Sequence, residues 1–292
     1  MTDAIAVAAA LCAAMIFGSA AVIEYRYAKE VPARGPLEVR LLVDLARRPM
    51  WLLAIGASVV GIGLQIVALR FGPLALVQPV LVCQLIFAVV ISALTVKHRQ
   101  PDRIMLAGVL CCAAGLGGFL VTAQPHDGRA TVTLAGAVPL AAALAAVLAC
   151  CLAVARVSSD NVRPLALALA CGVSYGVTAF LIKLVSQSLA KGFTEPFGQW
   201  PVYALIIIGP VGFLLNQSAF QAGVLVSPVL AVITVTDPLV SIGIAHLWLN
   251  ESIAGSVTDI AAELLSLALM AGGIVALAQR APQAAKSHPA FS

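Results

Sequence analysis

A chain of 292 residues that is 61% hydrophobic and only 10% charged does not have the makeup of a soluble domain, which carries about 25% charged residues and about 45–50% apolar ones. The formal net charge of +4 is too small to mark a nucleic-acid partner, which needs a basic face on a soluble module. Composition therefore places the chain in a lipid bilayer.

Crossing about 30 Å of hydrocarbon takes a helix of about 17–25 mostly apolar residues. Nine such runs occur in chain order, at roughly 4–28, 51–71, 73–95, 104–123, 131–156, 164–189, 200–220, 224–249 and 256–279. They are longer and richer in Ala and Leu than the alternating segments of about ten residues that build a transmembrane barrel. The expected fold is thus all-α with nine spans. The first run ends "AAVIEYRYAKE" without a small-residue cleavage site, so it reads as a span and not a signal peptide. Residues 29–50, "KEVPARGPLEVRLLVDLARRPM", carry too many charges to cross and predict a loop with an amphipathic helix on the membrane surface. The tail at 281–292 reads as disordered.

Loop charge sets the expected orientation. Arg26, Lys29, Arg34, Arg40, Arg47, Arg48, Lys97, Arg99, Arg103, Arg156, Arg163, Arg280 and Lys286 fall on one side, and Arg70, Arg129 and Lys191 on the other. Lys183, inside the sixth run, completes the 17 basic residues. The C-terminus is expected in the cytoplasm and the N-terminus outside, in the inner or plasma membrane.

The sequence also repeats itself. "ALCAAMIFGSAAVI" at 10–23 aligns with "ALACGVSYGVTAFL" at 168–181, setting Phe17 on Tyr175 and Gly18 on Gly176. "ALRFGPLALVQPVL" aligns with "AFQAGVLVSPVL" after a two-residue gap, setting Gly72 on Gly223 and Pro79 on Pro228. Matching runs are five apart, so the second copy enters from the opposite face. The expected organisation is an inverted repeat, residues 4–123 and 164–279, joined by a connecting helix at 131–156. Such halves rock around a midplane site in many transporters.

The order of "FGSAAVIEYR", "RRPMW", "ALRFGPLALVQPV", "GVTAFLIKL", "NQSAFQAGVLVSP" and "LNESI" resembles the drug/metabolite transporter superfamily over residues 5–280. Within it the chain looks most like the NIPA magnesium transporters and their bacterial relatives. The resemblance implies a secondary transporter and names magnesium or another small cation as cargo. Glu251 sits where EamA-type members end a helix with an acid, whereas the matching place in the first half reads "VKHRQ" and lacks one.

Candidate chemistry centres on Asp237, inside "AVITVTDPLVSIGIAHLWLNE". An ionised carboxylate at mid-bilayer costs about 2.5–3.5 kcal/mol on the insertion scale, so such a group is a functional site by default. Ser227, Thr234, Asp237 and Ser241 fall at helical spacings and form one polar stripe. Pro228 and Pro238 predict a broken helix, matched by Pro79 beside Gln78 and Gln84 in the third run. The expected substrate-binding residues are Asp237, Thr234, Ser241, Gln78 and Gln84, with Asp237 as the group that would face a metal ion. Lys183 and Glu263 come out at one depth, roughly 9–11 Å below the outer boundary by helical rise, and are expected to pair, as structure or as a gate. The seven cysteines lack ligand spacing and read as small core residues. Ala14–Gly18 and Gly172–Gly176 read as close-packing pairs.

No HExxH, GxSxG or phosphate loop occurs, so the chain is expected to be no enzyme and to use no cofactor. Expected partners are the bilayer, a small cation or small-molecule solute and, as an open option, a second copy of the chain. Two alternatives stand beside the cation transporter: a proton-coupled exporter of a small organic metabolite or drug, and a membrane scaffold that carries nothing.

Overall fold

The computed structural model describes residues 2–32, 35, 37–71, 77, 80–95, 103–123, 134–158, 162–189, 192–224, 226–249 and eight scattered positions between 262 and 276. Gly72, Gln78, Pro79, Glu251, Glu263 and the tail at 281–292 lie outside the described residues, as do the side chains of Ser227 and His246.

The elements are α1 (Thr2–Glu30), α2 (Val39–Ala46), α3 (Pro49–Phe71), α4 (Gln84–Thr95), α5 (Arg103–Ala123), α6 (Leu134–Val157), α7 (Arg163–Leu189), a 3₁₀ turn (Glu195–Gly198), α8 (Trp200–Ala222) and α9 (Val226–Leu249). There is no strand among the described residues. Most helices are apolar all round, as expected of elements that meet lipid on one side and protein on the other. Ala4–Glu30, Pro49–Phe71, Gly136–Val157, Arg163–Val185 and Trp200–Ala222 are each long and apolar enough to cross a membrane. The chain is an all-α membrane protein.

The short helix α2 obeys a different rule. Leu41 and Leu45, one turn apart, are fully buried, while Val39, Arg40 and Val43 are exposed. Its buried edge forms one cluster with Val31 and Trp51, backed by Tyr27, Ile55 and Phe213. The amphipathic helix read from residues 29–50 is therefore present, docked where α1, α3 and α8 come together.

Two groups of helices build the core. One sets α1 against α3 and α4; the other sets α7 against α6, α8 and α9. They meet where α1 touches α8 and where α4 touches α9. α7 is the most enclosed, with Leu167, Ala168, Ala170 and Cys171 fully buried. α6 lies at the edge and leaves most of its surface exposed.

Small residues let the backbones approach. A methyl group built on Gly18 of α1 would stand 2.5 Å from the Gln84 carbonyl oxygen of α4, and one on Gly176 of α7 would stand 2.5 Å from the Asp237 carbonyl oxygen of α9. Gly61 of α3 faces the Phe17 ring and Gly212 of α8 faces the Tyr175 ring in the same way. The close-packing role read from Ala14–Gly18 and Gly172–Gly176 fits these approaches, with Ala14 fully buried and Gly172 set against Ile233 and Thr236.

The prolines depart from expectation. α9 runs unbroken through Pro238. Pro228 falls in its first turn, where a missing backbone N–H costs no ladder bond. The interruption occurs instead at Cys83, just before α4, where Cys83 N–H bonds the Val80 carbonyl at 3.1 Å and Ile86 N–H bonds the Cys83 carbonyl at 2.9 Å. Cys112, Cys151 and Cys171 are buried, but Cys12 and Cys150 are exposed, so the reading of all cysteines as core holds only in part.

Candidate functional site

Asp237 sits eleven residues after the first residue of α9, about 16 Å along the axis at 1.5 Å per residue and near the helix midpoint. Its Oδ1 is buried and accepts no hydrogen bond from the described residues. One turn earlier, Thr234 is buried and its hydroxyl accepts a bond from Gln84 Nε2 of α4 at 3.1 Å. That bond joins α4 to α9 and brings three of the expected site residues, Asp237, Thr234 and Gln84, into one neighbourhood. Ser241 behaves differently: its hydroxyl is buried and donates to the Pro238 carbonyl of its own helix at 3.1 Å. It satisfies a carbonyl near the proline and offers no donor to a solute.

Lys183 is half-buried on α7. Its expected partner Glu263 is outside the described residues, so the pair is not seen.

A second polar group was not anticipated. Glu24, near the C-terminal end of α1, is 4% exposed and belongs to a buried cluster drawn from three helices. Ser58 of α3 donates to Oε1 at 3.1 Å, and Oε2 accepts from Gln217 Nε2 of α8 at 2.6 Å and from Asn216 Nδ2 at 3.3 Å. Trp51 Nε1 donates to Gln217 Oε1 at 3.2 Å. The indole N–H can only donate, so it fixes the orientation of the Gln217 amide and aims the NH₂ at Glu24. A buried carboxyl without partners would be costly; three donors offset that cost.

Below this cluster the end of α1 is stapled to the end of α8. The Tyr25 hydroxyl donates to the carbonyls of Gly223 and Val224, Lys29 Nζ donates to the Gln221 carbonyl at 2.6 Å, and Gln221 Nε2 returns to the Pro32 carbonyl at 2.9 Å. Tyr25 also packs edge-on against Phe220.

α7 packs against both α8 and α9. Cys171 and Tyr175, one turn apart on α7, are hydrogen-bond partners, and each lies within electrostatic reach of both Glu24 and Asp237. The Cys171 thiol donates to the Gly212 carbonyl of α8 at 3.4 Å, and the Tyr175 ring packs on Gly212. The neighbouring Gly176 meets the Asp237 backbone.

The Glu24 cluster left two marks in the sequence: an acid four residues inside the end of the first run, and the dipeptide Asn216-Gln217 at the same distance from the end of the seventh. The acid lies inside the first run, in the end "AAVIEYRYAKE", where nothing local singles it out as a buried carboxyl.

At the level of donors, Asp237 with Thr234 and Gln84 offers one carboxyl and two neutral oxygens. That set suits an ion that keeps its own water or an organic ammonium, because magnesium otherwise requires six oxygens in a near-octahedral shell. No group of three His, Cys, Asp or Glu side chains fit to hold a metal occurs among the described residues.

No family model matches the chain, and no solved structure matches it. The chain is similar to an uncharacterized protein of Corynebacterium glutamicum, with 29% identity over 252 residues that cover 86% of each chain.

Proposed function

We propose that the chain is a secondary transporter of the drug/metabolite transporter type, in which nine spans form an inverted repeat that alternates access around Asp237, Thr234 and Gln84. The observation that carries this reading is the buried Oδ1 of Asp237, midway along α9, which accepts no hydrogen bond from the described residues. A carboxyl oxygen held in an apolar helix without a partner is costly to the fold, and a cargo that supplies the partner accounts for its retention.

The paired close approaches support the repeat. Gly18 meets the Gln84 carbonyl as Gly176 meets that of Asp237, and Phe17 meets Gly61 as Tyr175 meets Gly212. In this register Gln84 is the counterpart of Asp237, four residues or one helical turn from the register given by Pro79 and Pro228. The cargo is a small cation, with hydrated magnesium the member named by the resemblance. In the cell membrane the N-terminus lies outside and the C-terminus in the cytoplasm.

The experiment is flux through the purified chain in proteoliposomes, screened over magnesium, other divalent ions and small organic cations. Asp237→Asn should abolish flux, or its cation dependence, with folding retained. Flux of none of these in the wild type favours the scaffold reading, and full flux in the variant removes Asp237 from the site. Reporters fused after Ser292 and before Met1 should read as cytoplasmic and external; both ends on one side would end the inverted repeat.

A further inference from the structure

The Glu24 cluster has no place in the cargo site, yet it concentrates more buried polar groups than the cargo site does. Glu24 is 4% exposed, Asn216 8% and Gln217 0%. Such enclosure leaves no room for an organic solute or for the water shell that a divalent ion keeps. The groups that face the carboxyl are also of the wrong kind for a metal. Two are amide NH₂ groups, one of them fixed by Trp51, whose bond to Gln217 Oε1 occupies the amide oxygen.

A proton fits where a metal does not. The Ser58 hydroxyl, 3.1 Å from Oε1, donates to the ionised carboxylate and can rotate to accept from the protonated acid. The two amides stay on Oε2 in both states. The cluster thus holds either form of Glu24 without moving a helix.

We propose that Glu24, with Ser58, Asn216 and Gln217, is a proton-binding site, and that a proton there and a cation at Asp237 displace one another across Cys171 and Tyr175. This rests on the transport reading of Asp237. A monovalent cation arriving at the carboxylate of Asp237 adds one positive charge and one proton leaving the carboxyl of Glu24 removes one, so that exchange is one for one and neutral; a divalent ion arriving for one proton leaves a net gain of one positive charge. Linkage makes the effect reciprocal: whatever the cation does to proton affinity, the proton does to cation affinity.

Titratable neighbours are few. On α7 they are Cys171 and Tyr175, and on α9 Asp237. Gln84 on α4 does not titrate, and the side chains of α3 and α8 that bond Glu24 or its partner Gln217 are Ser58, Trp51, Asn216 and Gln217. On α1 itself Tyr25 and Lys29 are engaged with the end of α8.

The test is infrared titration of the protonated-carboxyl stretch in the full chain in lipid, with magnesium chloride and with tetramethylammonium chloride as separate probes. Glu24→Gln, which keeps size and polarity, should remove one titrating band. In the wild type at least one probe should lower the midpoint of that band by a fraction of a pH unit or more, and Asp237→Asn should abolish that response while leaving the band. Ser58→Ala, which removes a bond to the ionised form and the acceptor for the acid form, should shift the midpoint without a probe, and an unmoved midpoint would remove Ser58 from the site. A spectrum unchanged by Glu24→Gln in a variant that elutes as the wild type does would overturn the proton site. A band that neither probe shifts would overturn the exchange. Because the band is read without transport, failure of Asp237 in the flux assay is told apart from failure of Glu24.

Discussion

The two buried carboxyls are provided for in opposite ways. Glu24 has both oxygens bonded, by donors from two other helices, whereas Asp237 keeps one buried oxygen without a bond from the described residues. Donors of the fold reach both oxygens of one, whereas the described residues supply none to Oδ1 of the other. The difference teaches that two carboxyls inside apolar helices can be satisfied by the fold to unequal degrees, so position along a helix does not by itself say what a buried acid is for.

The contrast is broken most severely at Glu24. Glu24→Ala leaves the NH₂ groups of Asn216 and Gln217 buried without their acceptor, at about 1–3 kcal/mol for each orphaned group, so the thermal midpoint in detergent should fall sharply. Asp237→Ala removes no described bond to Oδ1 and should lower the midpoint much less; an equal fall in the two variants would erase the distinction. Next in size are the helix crossings. Gly176→Ala forces a methyl group to within 2.5 Å of the Asp237 carbonyl and should cost about 1–3 kcal/mol by overpacking. Trp51→Phe keeps the ring in the α2 cluster but leaves the buried Gln217 Oε1 without its donor, at about 1–3 kcal/mol. At Gly56 an added methyl meets nothing within 4 Å, so Gly56→Ala is the smallest change of the set and should be neutral or stabilising by up to about 1 kcal/mol. The same size exclusion and thermal unfolding measurements rank all of these.

Much of the helical framework was legible because lipid imposes a simple rule: long apolar runs become helices. The charges of residues 29–50 likewise announced an amphipathic helix in that stretch, found as α2. Asp237 stood out since a charge inside "ITVTDPLV" has no ordinary reason to be there. Glu24 was hidden by its neighbours, for "EYRYAKE" reads as the charged edge of a span. Asn216 and Gln217 carry no charge, and their meaning comes from partners 192 and 193 residues away. Pro228 was read as a breaker when its place in the first turn makes it harmless, a distinction that needs the helix start to within two residues. The interruption at Cys83 falls four residues after Pro79, which lies outside the described residues.

Trp51 touches α2 through Leu41 and Leu45 and holds Gln217 through its indole N–H. It is one of three tryptophans, with Trp200 and Trp248. Replacing those two with phenylalanine would leave a single native fluorophore at the junction of the surface helix and the Glu24 cluster. Its emission colour would report water reaching that junction, and its response to stopped-flow pH jumps would time the event in the unlabelled protein.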